Sequence, residues 1–133
     1  MQILQPPDWP RPEGYSNGIA TRGRLVFVAG QIGWDRNKII HSDNLAEQVR
    51  QALANTIAVL AEAGAGPEHV TRMTWYILDK QEYLSSTKEI GRIYREIMGN
   101  NYPAMAMLQV SALIEDSAKV EIETTAVIPE QET

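Results

Sequence analysis

The run Gly23-Arg24-Leu25-Val26-Phe27-Val28-Ala29-Gly30-Gln31-Ile32, with the segment Asn44 to Leu60 that follows it, decides the fold class. The first run is apolar on both sides of its alternation, which predicts a buried strand. Gly30 near its end predicts a bulge or a close backbone approach. The second segment changes period. Leu45, Val49, Leu53, Ile57 and Leu60 recur at helical spacing, while Glu47, Arg50 and Gln51 fall off that stripe. Asn44 and Glu47 make a capping-box pattern, and Gly64 and Gly66-Pro67 end the helix.

Working outward, the stretch from Gln5 to Gly14 holds four prolines and reads as an irregular extended lead-in. Val70 to Leu78 is rich in β-formers and reads as a second strand. Residues 80–98 read as one second helix, with Ser86 and Glu89 capping its main part and Ile90, Ile93, Tyr94 and Ile97 on its apolar face. Ala104 to Ile114 and Ala118 to Ile128 read as two further strands, with Glu115-Asp116-Ser117 as a hairpin turn between them. The result is an α+β fold in a single domain over residues 1–133.

Alternation sorts the last two strands into faces. Ala106, Leu108, Val110, Ala112 and Ile114 form the face expected to meet the helices, and Met105, Met107, Gln109 and Ser111 form the other. In the final strand Val120, Ile122, Thr124, Ala126 and Ile128 share one face, opposite Glu121, Glu123 and Thr125. Two helices cover only one face of such a sheet. The uncovered face, half apolar and carrying carboxylates, calls for a partner subunit or a ligand.

Composition narrows the function classes. The formal net charge is −5 and the 12 Lys and Arg are scattered, which argues against nucleic acid. No cysteine is present, so disulfides, a thiolate nucleophile and cysteine–metal sites are excluded. The N-terminal residues show no basic n-region and no long apolar run, and no segment approaches the ~20 apolar residues of a membrane span. A cytoplasmic protein with no membrane partner is the expectation.

Few residues point to chemistry by themselves. His41 and His69 each lack a second ligand at metal spacing. Gly64-Ala65-Gly66 follows a helix instead of joining a strand to a helix N-terminus, so it is no phosphate loop. Glu121 and Glu123 share a strand face. They are either solvated, or one of them enters a subunit interface, where desolvation raises a carboxyl pKa and suits it to acid/base work. Met105 and Met107 read as adaptable interface filler, Trp9, Trp34 and Trp75 as core or interface anchors, and Tyr15 as a packed ring or a cleft hydroxyl.

Taken in order, these segments resemble the RidA (YjgF) family of reactive-intermediate deaminases. The carrying residues are Gly14-Tyr15-Ser16, Leu25 to Ile32, Gln48 to Asn55, Val70 to Tyr76 with Asp79, Tyr102-Pro103-Ala104, and Val120-Glu121-Ile122-Glu123. The resemblance implies a chorismate-mutase-like α+β fold, a mixed β-sheet with two helices packed on one face, and a homotrimer with a small-molecule cleft between each pair of subunits. It implies hydrolysis of enamines and imines, such as 2-aminoacrylate-derived species, to keto acids and ammonia, with no metal or cofactor. It assigns Tyr15, Gly30 and Gln31 to the cleft, and Glu121 to positioning or activating the attacking water.

The chain departs from that pattern where Met105 replaces an arginine that clamps the substrate carboxylate, Ala29 a serine and Met107 a cysteine. A more apolar cleft is expected, lined by Tyr15, Met105, Met107 and Trp34. Three functions follow in order. The first is a divergent enamine or imine deaminase acting on something other than the usual imino acids. The second is a non-catalytic metabolite-binding or regulatory module using the same cleft. The third, an older label in the family, is an endoribonuclease, which the net charge and the lack of a His or Lys pair placed for phosphodiester cleavage oppose.

Overall fold

The structure, a computed structural model, describes residues 1–130. A four-stranded mixed sheet is built from β3 (Arg24–Ile32), β4 (Val70–Ile77), β5 (Ala104–Gln109) and β6 (Val120–Ile128), in the order β3-β6-β4-β5. β6 runs antiparallel to both of its neighbours, and β4 and β5 are parallel. Helices α1 (Leu45–Glu62), α2 (Lys80–Ser85) and α3 (Thr87–Met98) complete the fold. The α+β class is as the sequence predicts, and the mixed sheet is as the resemblance implies. A separate two-stranded ribbon of β1 (Gln2–Leu4) and β2 (Gly18–Ala20) brackets the proline-rich lead-in. Among the described residues, no helix is long and apolar enough to cross a membrane.

Helix α1 begins and ends where its caps dictate. The Asn44 side chain accepts from the Glu47 backbone N–H at 3.0 Å. At the other end Gly64 takes φ +74°, and the N–H groups of Gly64 and Ala65 return to the carbonyls of Ala61 and Leu60. The apolar stripe of α1 packs with Ile90, Ile93, Tyr94 and Met98 of α3 against Val28, Met73, Trp75, Val120 and Ile122 of the sheet. The opposite sheet face stays bare in the single chain. There Leu25 is 57% and Phe27 73% exposed.

Four expectations are corrected. First, β5 and β6 do not form a hairpin, because β4 lies between them. The Glu115–Ala118 turn does form, with the Ala118 N–H on the Glu115 carbonyl at 3.0 Å, so the turn chemistry was legible and the partner was not. β5 is drawn to the edge of β4 by the α2–α3 crossover, which delivers it parallel. The chain then passes over the end of β4, where the Val110 N–H donates to the Ile77 carbonyl and the Leu78 N–H to the Lys119 carbonyl.

Second, β5 stops at Gln109, so Ala112 and Ile114 belong to no strand, and Ile114 is 96% exposed. Third, the faces of β5 are exchanged. Parallel pairing sets Met105 beside Met73 and Met107 beside Trp75, and both partners are core residues, so the methionines turn toward the helices and Leu108 turns out. Fourth, residues 80–98 make two helices that break at Ser86.

Candidate functional site

The predicted site residues fall into two groups on opposite faces of the sheet. Trp75 pairs with Ile122 on one side and Met107 on the other, which puts the methionines on the core face. The next row, Tyr76 with Glu121 and Leu108, lies on the bare face. Tyr15, Met105 and Met107 line a cavity of about 620 Å³ between α3, β5 and the Glu13–Tyr15 segment. Glu121, Gly30 and Gln31 do not.

On the bare face, Glu121 is half-buried and Glu123 exposed. The pairing of β3 with β6 shifts register between Val28 and Gln31, so Gly30 sits in a bulge. A Cβ built on Gly30 would lie 2.6 Å from Glu121 Oε2 and 2.8 Å from its carboxyl carbon. Both readings of Gly30 therefore hold at once. The bulge turns the β3 backbone under the Glu121 carboxylate, and only a glycine leaves room for that carboxylate to lie flat against the main chain. Gln31 stabilises the kink by donating to the Ala29 carbonyl at 3.1 Å. Gly30→Ala is expected to swing Glu121 off this perch; a crystal structure of the variant with the carboxylate unmoved would refute the assignment.

On the core face, Ser16 fixes Tyr15 at the cavity mouth. Its hydroxyl donates to the Tyr102 carbonyl at 2.5 Å, and its N–H donates to the Pro103 carbonyl at 3.0 Å. The cavity walls are aromatic. Tyr94 stacks on Tyr102 with centroids 5.6 Å apart, and Trp75 tilts against Tyr94 at 6.4 Å. Burial, and secondarily the neighbouring Tyr102, pushes the Tyr94 hydroxyl far above the usual tyrosine range, and burial also raises Tyr83. Both hydroxyls stay neutral at ordinary pH and serve as hydrogen-bond groups, not bases. Tyr94 spends its proton on the Asn101 carbonyl at 2.5 Å. Trp75 Nε1 is buried without a partner among the described residues.

Trp34 reaches neither group. It lies in the loop after β3, its carbonyl accepting from Asn55 Nδ2 at 2.8 Å and its ring under Lys38 Nζ at 5.4 Å. The histidines hold loops together. His41 pairs with Asp35 at 2.6 Å, which holds that carboxyl below its usual range. His69 Nδ1 accepts from the Gly66 N–H at 3.0 Å. Among the described residues, no three of His, Cys, Asp and Glu gather as a metal site. Sequence reasoning missed Glu13, Tyr83, Tyr94, Arg95 and Tyr102 as cavity residues. The i, i+4 spacing of Gly91 and Arg95 on one helix face was the available signal.

The family model described as Endoribonuclease L-PSP matches residues 10–128. A RutC family protein of Synechocystis is 36% identical over 132 residues, 97% of this chain and 98% of its own. A human protein named 2-iminobutanoate/2-iminopropanoate deaminase is 32% identical over 114 residues, 85% of this chain and 79% of its own. Among solved structures, the Rid-family protein YyfB of Yersinia pestis, described as of unknown function, superposes with a TM-score of 0.84 at 28% identity, covering 96% of this chain and 98% of that one. With the family model spanning all but the two ends of the chain, and with a solved member of the family superposing over nearly its whole length, the chain belongs to the RidA (YjgF) family.

Proposed function

We propose that this protein hydrolyses an enamine or imine in a cleft completed by a neighbouring copy of itself, with Glu121 orienting and deprotonating the attacking water. The carrying observation is the Glu121 carboxylate laid over the glycine bulge of β3, an arrangement that serves no packing purpose on an otherwise bare sheet face. The human relative's name, a 2-imino acid deaminase, supplies the reaction class. Attack of water on the imine carbon needs a base beside it and a proton for the departing nitrogen, and one carboxyl can serve both steps.

The opposite placement of the two groups supports a homotrimer. A ligand that touches Met105 and Tyr15 on one face and Glu121 on the other cannot do so within one chain. It can where the bare face of one subunit meets the cavity mouth of the next. Leu25 and Phe27, exposed side by side on that face, supply the apolar area for such a contact. Covering it would also take Glu121 out of bulk water. Light scattering is expected to report a trimer at micromolar concentration, and Phe27→Glu a monomer. A wild-type monomer would remove the shared cleft.

Met105 offers no charge to a carboxylate at the position where the family's active deaminases carry an arginine, so the usual small substrate is expected to fare poorly. The test is ammonia release from imines generated in place, by an amino-acid oxidase for the larger ones and enzymatically as 2-aminoacrylate for the smallest. Acceleration is expected with large apolar imines, and a rate little above the uncatalysed background with 2-aminoacrylate. No acceleration with any imine would leave the second reading, a binding module, which the apolar Met105 favours. Full activity on 2-aminoacrylate would sink the claim that Met105 redirects the chemistry.

A further inference from the structure

Two charged side chains line the cavity, Glu13 and Arg95. The surroundings of Arg95 set it apart from its neighbours. Arg50 and Arg92 are both held by Glu96, at 2.9 and 2.8 Å. Arg95 makes no salt bridge among the described residues, although it is exposed and stands beside that cluster. Its guanidinium does not extend freely into solvent. A Cβ built on Gly91, one turn earlier, would fall 3.4 Å from Arg95 Nη1, so the side chain folds back along α3 across the bare surface of the glycine. Glycine is a poor residue for the middle of a helix. The guanidinium rests over it at the cavity wall with no ion pair among the described residues.

The rest of the wall specifies what the guanidinium would hold. Trp75, Tyr83, Tyr94 and Tyr102 surround the space with rings, and Met105 and Met107 form a soft, polarizable floor. In a single chain the cavity measures about 620 Å³, within the range of drug-sized ligand sites, before a neighbouring copy closes its mouth. A planar apolar group against rings and methionines, with a carboxylate on an arginine, describes one ligand class.

We propose that Arg95 is the carboxylate anchor of this cavity and that its ligands are aromatic 2-oxo or 2-imino acids. The proposal rests on the cleft reading above and deepens it by naming the substrate class. Guanidinium and carboxylate pair through two parallel N–H donors, so the anchor fixes both charge and orientation while the ring fills the aromatic chamber.

The test is calorimetric titration of the full chain with phenylpyruvate, 2-oxobutanoate and the uncharged phenylacetone, using wild type, Arg95→Gln and Arg95→Lys. Phenylpyruvate is expected to bind about tenfold or more tighter than 2-oxobutanoate. Arg95→Gln is expected to weaken phenylpyruvate by about tenfold or more, the size of a lost charge-assisted pair, with phenylacetone unchanged and Arg95→Lys recovering part of the loss. Unaltered phenylpyruvate affinity in Arg95→Gln, absence of phenylpyruvate binding to wild type, or equal affinity for 2-oxobutanoate would each overturn the proposal. Ammonia release separates this inference from the reading beneath it. Arg95-dependent phenylpyruvate binding without ammonia release from the phenylalanine-derived imine supports the ligand class and rejects the hydrolase. Turnover of small imines without phenylpyruvate binding does the reverse.

Discussion

Glu121→Gln is expected to lower imine hydrolysis by about 10²–10⁴-fold, the range that a positioned acid/base group supplies, with the oligomeric state and the folded state unchanged. The substitution is nearly isosteric, so the side chain still lies over Gly30, where a Cβ would come within 2.6 Å of the native carboxylate. No ion pair among the described residues involves Glu121, so its charge supports no part of the fold. Removing such a charge changes stability by only about 0.5 kcal/mol or less. What disappears is the ability to take a proton from water. The discriminating readout is kcat with KM little changed, since the glutamine still fills the same space. If kcat survives, Glu121 is a solvated strand residue and the hydrolase reading loses its base. Glu123→Gln serves as the control. It lies on the same face, is exposed and touches no bulge, so its activity is expected to match wild type.

Gln48→Ala is expected to destabilise the chain by about 3 kcal/mol, read from the midpoint of urea unfolding. Gln48 is 1% exposed and every polar atom of its amide is used. Nε2 donates to the carbonyls of Ser42 at 2.9 Å and Ser117 at 3.0 Å. Oε1 accepts from the Lys119 N–H at 2.8 Å. The amide therefore stitches the entry to α1 to the turn that leads into β6. Alanine would leave two carbonyls and one N–H without partners and a void beside Gly33, whose backbone approaches α1 so closely that a Cβ there would meet Gln48 Cα at 2.8 Å. Lys119 stands two residues before Glu121 in the chain, so the same loss should loosen the strand that carries the candidate base. A loss under about 0.5 kcal/mol, the range of ordinary surface changes, would show that water replaces the amide and that the hub is dispensable.

Gln48 also shows where sequence reasoning stops. It lies beside Val49 on α1, and a glutamine there reads as surface. Nothing in its neighbours announces that loop carbonyls from Ser42 and Ser117 converge on it, because those partners are 6 and 69 residues away. The aromatic chamber was hidden for the same reason. Tyr94 and Tyr102 are separated in sequence by the end of α3, and they stack only because β5 returns parallel beside β4. Trp34, by contrast, carried an attractive residue type and sits in an unrelated loop. Residue type alone did not locate the cavity; convergence of elements did.

By itself the sequence determined the elements that obey local rules. It marked the capped helix from Leu45, the strand broken at Gly30, the β-rich run from Val70 and the alternation that sets Glu121 opposite Val120 and Ile122, because period, capping and turn chemistry are properties of neighbouring residues. Only the tertiary structure decided which strands are partners. Pairing β5 parallel to β4 turned Met105 and Met107 inward and made the cavity, and threading β6 between β3 and β4 laid Glu121 over the Gly30 bulge. A strand's alternation states that it has two faces. Which of them meets the helices is fixed by the residues beside it in the sheet, and those are far away along the chain.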